Sequence, residues 1–152
     1  MTHPTNLSRP IVEALYSEAL VLADDVRAVF ALGAHEPAYG ENTSVRLALS
    51  TEGLKTTTRM MHLLAWLLNQ RAFFSGDLSE NQVRNHGALP PDRPSDPLQL
   101  ELLEPETRAL IAETEALHRR IARLDAAWRG GFEMESPARE LRRRITEGFR
   151  QG

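Results

Sequence analysis

TTTRMMHLLAWLLNQRAFFSG, residues Thr56 to Gly76, is the stretch whose reading decides the fold. From Met60 to Leu68 every residue is apolar except His62. A surface helix of an ordinary domain carries one apolar stripe. This segment is apolar nearly all round for about two turns, so as a helix it needs partners on more than one side. It is too short for a membrane span, which takes ~20 apolar residues. It reads instead as the middle of a long central helix, covered by two others, with surface left over for a second subunit.

Outward from it, a helix is expected over 44–75, started by Thr43 or Ser44 and stopped by Gly76. Leu47, Leu54, Met61 and Leu68 recur every seven residues, with the small companions Thr51, Thr58, Ala65 and Ala72. Such a seam of large and small residues suits close helix packing. Upstream, Val12, Leu15, Ala19, Leu22, Val26 and Val29 step by three and four, which predicts an amphipathic helix over 9–32. Tyr16, Ala23 and Phe30 widen its stripe. Residues 1–8 read as a flexible tail and 34–44 as a loop rich in turn formers.

Downstream, Ser79 and Gln82 have capping-box spacing, predicting a short helical turn over 80–85. Residues 86–104 hold four prolines and no period. They read as a solvated linker or, alternatively, a docking segment. A third helix is expected over 105–128, with Leu110, Thr114, Leu117, Ile121, Leu124 and Trp128 as its stripe and Gly130-Gly131 as its stop. Residues 132–152 read as a mobile basic tail with a short helix after Pro137. The expected fold is all-α: an antiparallel three-helix bundle spanning 9–131 with a long central helix, paired into a homodimer through that helix. Met60, Met61, Leu64, Trp66, Leu67, Phe73 and Phe74 supply both the core and the dimer surface.

Bulk properties narrow the function. The 152 residues fit one domain, and the net charge of −3 argues against a general nucleic-acid binder. There is no cysteine, which fits a reducing, cytoplasmic setting, and no signal peptide is visible. Arginine far outnumbers lysine, Lys55 being the only one. None of the five histidines is spaced as a metal pair, so no metal or cofactor is expected. Phosphate loops, dinucleotide glycines and serine elbows are missing from the sequence. Asp24 and Asp25 are adjacent and point to different helix faces, so they cannot work as a carboxylate dyad. Thr56, Thr57 and Thr58 read as small packing residues before nucleophiles. The arginines from Arg139 to Arg144 with Arg150 are diluted by Glu140 and Glu147 and lack an aromatic platform. No enzymatic constellation emerges.

The polar residues flanking the apolar girdle remain. Arg59, Gln70, Arg71 and Arg123 are the candidates for exposed partner contacts. The competing reading makes them interhelix salt bridges: with antiparallel helices, Arg59 would meet Glu113, and Arg71 would meet Glu104 or Glu106.

The block Thr57 to Leu78, read as T-T-R-M-x-x-x-x-x-W-L-L-x-Q-R-A-x-x-x-G-D-L, resembles the signature of the RcdA family, the regulators of CtrA degradation. A second block, L-x-x-R-I-x-R-L-D from Leu117 to Asp125, also resembles it. The resemblance implies a dimeric helical protein without enzymatic activity. It further implies an adaptor that helps deliver cell-cycle regulators such as CtrA to the ClpXP protease, with a ClpX-type unfoldase, a CpdR-like response regulator and cargo proteins as partners. Two other readings stay open: a helical ligand-binding or enzymatic domain with an interhelix pocket, and a structural dimer with weak nucleic-acid binding through the basic tail.

Overall fold

A computed structural model describes residues 7–33 and 42–150; within these, nothing is described of the side chains of 32–33 and 131–140. The described residues form α1 (Arg9–Gly33), α2 (Thr43–Ser75), α3 (Glu80–His86), α4 (Pro97–Leu100) and α5 (Pro105–Arg150), with no strand among them. None of these helices is long and apolar enough to cross a membrane. The expected tail over 1–8 and loop over 34–44 fall largely outside the described residues.

The three long helices share one core. The stripe read on α1 is buried through Val12, Leu15, Ala19, Leu22 and Val26. It packs on Met60, Leu63, Trp66 and Leu67 of α2 and on Leu117, Ile121 and Trp128 of α5. A smaller cluster of Ala48, Leu103 and Ile111 closes the other end. Between them, α1 and α2 approach closely at Gly53, where a Cβ would sit 2.8 Å from the Phe30 ring. Only glycine admits that contact without moving the ring.

Local signals account for the helix ends. Asn42, rather than Thr43 or Ser44, caps α2: its side-chain oxygen accepts from the Ser44 and Val45 amides. Gly76 stops α2 in the left-handed region at φ 85°. The Ser79–Gln82 capping box forms at α3 in both directions.

Two expectations are overturned. The long helices are not all antiparallel. Arg59 meets Thr114 and Trp66 meets Asp125, so α2 and α5 advance in the same direction. Both run against α1, whose Glu13 pairs with Arg71 and whose Glu18 pairs with Arg120. The physical cause is the connection. Residues 87–96 are no solvated linker; they form an extended strap laid back along α2 and returning the chain to the end where α2 began. The second correction concerns the C-terminus: α5 does not stop at 128 but continues as one helix of 46 residues to Arg150. It passes through Gly130, Gly131 and Pro137, although each glycine costs a helix ~1 kcal/mol and an interior proline ~3 kcal/mol relative to alanine.

Trp66 is the pivot of the core. Its ring is buried and its indole N–H donates to Asp125 Oδ1 at 2.9 Å. Trp66→Ala should therefore cost ~3–5 kcal/mol, read as a lowered urea midpoint at unchanged m-value.

Candidate functional site

The candidate surface is built on α2, whose faces have separate tasks. One face carries the polar groups that hold the strap. Arg59 is buried, and its guanidinium uses every nitrogen. Nε donates to both oxygens of Asp92 at 2.8 and 2.9 Å, Nη1 to the Thr114 hydroxyl at 2.9 Å, and Nη2 to the Arg93 carbonyl at 3.0 Å. The Thr114 hydroxyl in turn donates to the Ile111 carbonyl at 2.7 Å. Two turns earlier, Glu52 accepts from Lys55 Nζ and from the Asp96 amide, each at 3.1 Å. At the opposite end Asp125 accepts from Trp66, from Arg129 Nε at 2.9 Å and from the Leu89 amide at 3.4 Å. His118 Nε2 lies 3.2 Å from the Pro90 carbonyl, which as an acceptor fixes the proton on that nitrogen. Prolines suit this strap because an extended segment between two helices has few neighbours to receive an N–H.

The four polar candidates therefore separate. Arg59 and Gln70 are buried and cannot serve as exposed contacts. Arg59 went inside because Asp92 and Thr114 neutralise and saturate it. Gln70 is enclosed between the packed helices, with no protein partner for its amide among the described residues. Arg71 is half-buried. It pairs with Glu13 at 2.9 Å and lies over the Tyr16 ring, 4.3 Å from its centre. The Glu13 hydrogen bond, against a smaller opposing effect of desolvation, raises the pKa of this guanidinium. Arg123 is exposed on α5. The salt-bridge partners foreseen for Arg59 and Arg71 are replaced by Asp92 and Glu13, because α5 runs the other way. Asp92, Thr114 and Asp125 were not recognised as a set. Nothing in local spacing joins a loop acid to a helix arginine 33 residues earlier.

The apolar girdle also divides. Met60, Trp66 and Leu67 are buried, while Leu64, Phe73 and Phe74 are partly buried against the same core. Met61 is not covered. It belongs to a row of Leu47, Leu54, Met61 and Leu68 that is 61, 69, 64 and 48 % exposed. The seven-residue seam thus faces away from every other part of the described chain. The row is ~32 Å long at 1.5 Å per residue. Ser50, Thr51, Thr57, Thr58 and Ala65 beside it are small and uncharged, and Arg46 borders its first residue. Beside its first half lies an open groove of about 410 Å³ between Phe30, Leu49, Ser50 and Leu54. No group of three or more potential metal ligands occurs among the described residues.

Comparison with known proteins places the chain. The model of a family described as "Protein of unknown function (DUF1465)" matches residues 4–149. The chain belongs to that family. No curated protein and no solved structure matches it.

The Arg59 cluster makes a direct prediction. Asp92→Ala would leave a buried guanidinium short of its counter-charge, a change that typically costs ~3–5 kcal/mol. Asp92 is itself partly exposed, so the loss should fall near ~3 kcal/mol. The Leu89 and Asp96 amides, bonded in the strap to Asp125 and Glu52, should then exchange with solvent faster in the variant than in the parent chain.

Proposed function

We propose that this protein is a non-enzymatic adaptor that works as a homodimer of helical subunits paired through α2. The observation carrying the dimer is the uncovered row on α2 and its internal symmetry. About a midpoint between Thr57 and Thr58, Leu54 mirrors Met61, Thr51 mirrors Leu64, and Leu47 mirrors Leu68. A second copy approaching antiparallel would set each large residue of the row opposite another. Threonines would meet at the centre, where small side chains let helices come close. Such self-complementarity is what an isologous two-fold contact demands. A contiguous exposed apolar row marks an interaction surface more often than a free one.

The adaptor reading rests on the resemblance of Thr57 to Leu78 and of Leu117 to Asp125 to the RcdA family. Under this reading the dimer raises the concentration of a cell-cycle regulator such as CtrA at the ClpXP protease, and no bond is made or broken by the adaptor itself. A ClpX-type unfoldase and a CpdR-like response regulator are the partners this implies. Of the surface candidates, Arg123 and the exposed edge of Arg71 remain suited to such contacts.

Two outcomes follow. Leu54→Arg with Met61→Arg places like charges across the two-fold. Sedimentation should then report a folded monomer where the parent chain is a dimer; a parent chain that sediments as a monomer rejects the pairing. In a reconstituted degradation reaction with ClpXP, a CpdR-like protein and CtrA, the parent chain should accelerate loss of CtrA. A cargo rate unaffected by its addition rejects the adaptor role.

A further inference from the structure

A second exposed apolar stripe lies at the far end of α5. Leu141, Ile145 and Phe149 are 61, 51 and 83 % exposed and share one face at four-residue spacing. The sequence over 137–150 sets five arginines, Arg139, Arg142, Arg143, Arg144 and Arg150, against two carboxylates, Glu140 and Glu147. This end is therefore a basic amphipathic helix with nothing described beneath its apolar face.

The complementary surface is on the same molecule. On the side of the fold away from the α2 row, α1 and α5 leave an open groove of about 530 Å³. Its floor is Val21, Leu22, Ala116 and Leu117, and Val21 is 66 % exposed. Its rim holds Glu18, Asp25 and Glu113 against one arginine, Arg120, already paired with Glu18 at 2.8 Å. Asp25 and Glu113 have no ion-pair partner among the described residues. An apolar floor with a net acidic rim fits a basic amphipathic helix.

The sequence between the two stripes contains a stop and a start. Gly130-Gly131 is a helix-ending pair, and Ser136-Pro137 is a helix-opening pair, serine suiting the cap and proline the first helical position. The intervening residues have the length of an ordinary helix–helix connection. The lengths also agree. A helix over 137–150 is ~21 Å long, and α5 from Arg129 back to Glu113 measures ~24 Å. Folded back, Phe149 reaches the level of Val21 and Ala116, and the long Arg150 side chain extends from there toward Asp25 and Glu113.

We propose that the chain has a second arrangement in which residues 137–150 fold back at Gly130-Gly131 and occupy the α1/α5 groove of their own molecule. Phe149 covers the floor, Ile145 and Leu141 follow along the same side of α5 at the levels of Ile121 and Asp125, and Arg150 faces Asp25 and Glu113. Tethering holds the segment at a high effective concentration over the groove, so weak contacts suffice. The groove is then closed in one arrangement and free in the other. This proposal stands apart from the adaptor reading, since it concerns one chain and its own end.

The chain contains no cysteine, so paired spin labels can be placed cleanly at Asp24→Cys on α1 and Thr146→Cys on α5. Double electron–electron resonance in a large excess of unlabelled chain isolates distances within one molecule. A straight α5 puts these sites at least ~45 Å apart, whereas the folded arrangement brings them within roughly 20 Å. A short-distance population that survives dilution is expected. Asp25→Arg with Glu113→Arg, or Ile145→Ser with Phe149→Ser, should each shrink it roughly five-fold or more. Only the long distance, or a short one that vanishes on dilution, overturns the proposal. The same holds for a short population indifferent to both variant pairs.

Discussion

The guanidinium of Arg59 ties three parts of the chain together. It leaves α2, takes both oxygens of Asp92 and the carbonyl of Arg93 in the strap, and reaches Thr114 on α5. A buried charge is tolerable only when its donors and its charge are both answered. Those partners come from a single geometry: an extended strap between α2 and α5, with α5 beginning where α2 began. The parallel course of α2 and α5 and the fixed strap are therefore the same fact seen from two elements. Glu52 with Lys55 and Asp96 repeats the arrangement at one end, and Asp125 with Trp66, Leu89 and Arg129 repeats it at the other.

This arrangement also decides what α2 exposes. With α1 on one flank, α5 on another and the strap between α2 and α5, only one side of α2 remains. The residues on that side are Leu47, Leu54, Met61 and Leu68. A helix apolar nearly all round thus becomes one with a buried face and an uncovered row. The row is uncharged along ~32 Å, which no requirement of the described chain's own packing explains. Pairing with a second copy would give it an occupant of the same length and the opposite direction. The α1/α5 groove lies on the far side and carries acidic groups, so the two surfaces differ in chemistry as well as place.

Much of the secondary structure was legible. Of the six residues in the three-four stripe of α1, five are buried and Val29 is partly so; of the six in the stripe of α5, Thr114, Leu117, Ile121 and Trp128 are buried and Leu110 and Leu124 partly so. The capping box and Gly76 marked real boundaries. These are local signals, set by periodicity and by backbone groups within a few residues. The errors concern long-range matters. Four prolines in one segment suggest a solvated connection, whereas three of them, Pro90, Pro91 and Pro94, lie in an extended strap between helices and Pro97 opens α4. Arg59 and Gln70 are readable from the sequence either as exposed contacts or as parts of interhelix salt bridges, because polar side chains are usually at the surface unless paired. The structure encloses both.

The sequence by itself determined that the chain is helical, where α1, α2 and α3 lie to within a residue or two, where α5 begins, and that α2 has more apolar surface than one stripe needs. It also contained the seven-residue row whose small flanking residues invite another helix. The tertiary structure decided the direction of α5, the path of the strap, and which of the apolar residues of α2 are covered. Periodicity records which face of a helix is apolar but not which neighbour lies against it. That choice rests on contacts between residues tens of positions apart, such as Arg59 with Asp92 and Trp66 with Asp125, which exist only once the chain has folded.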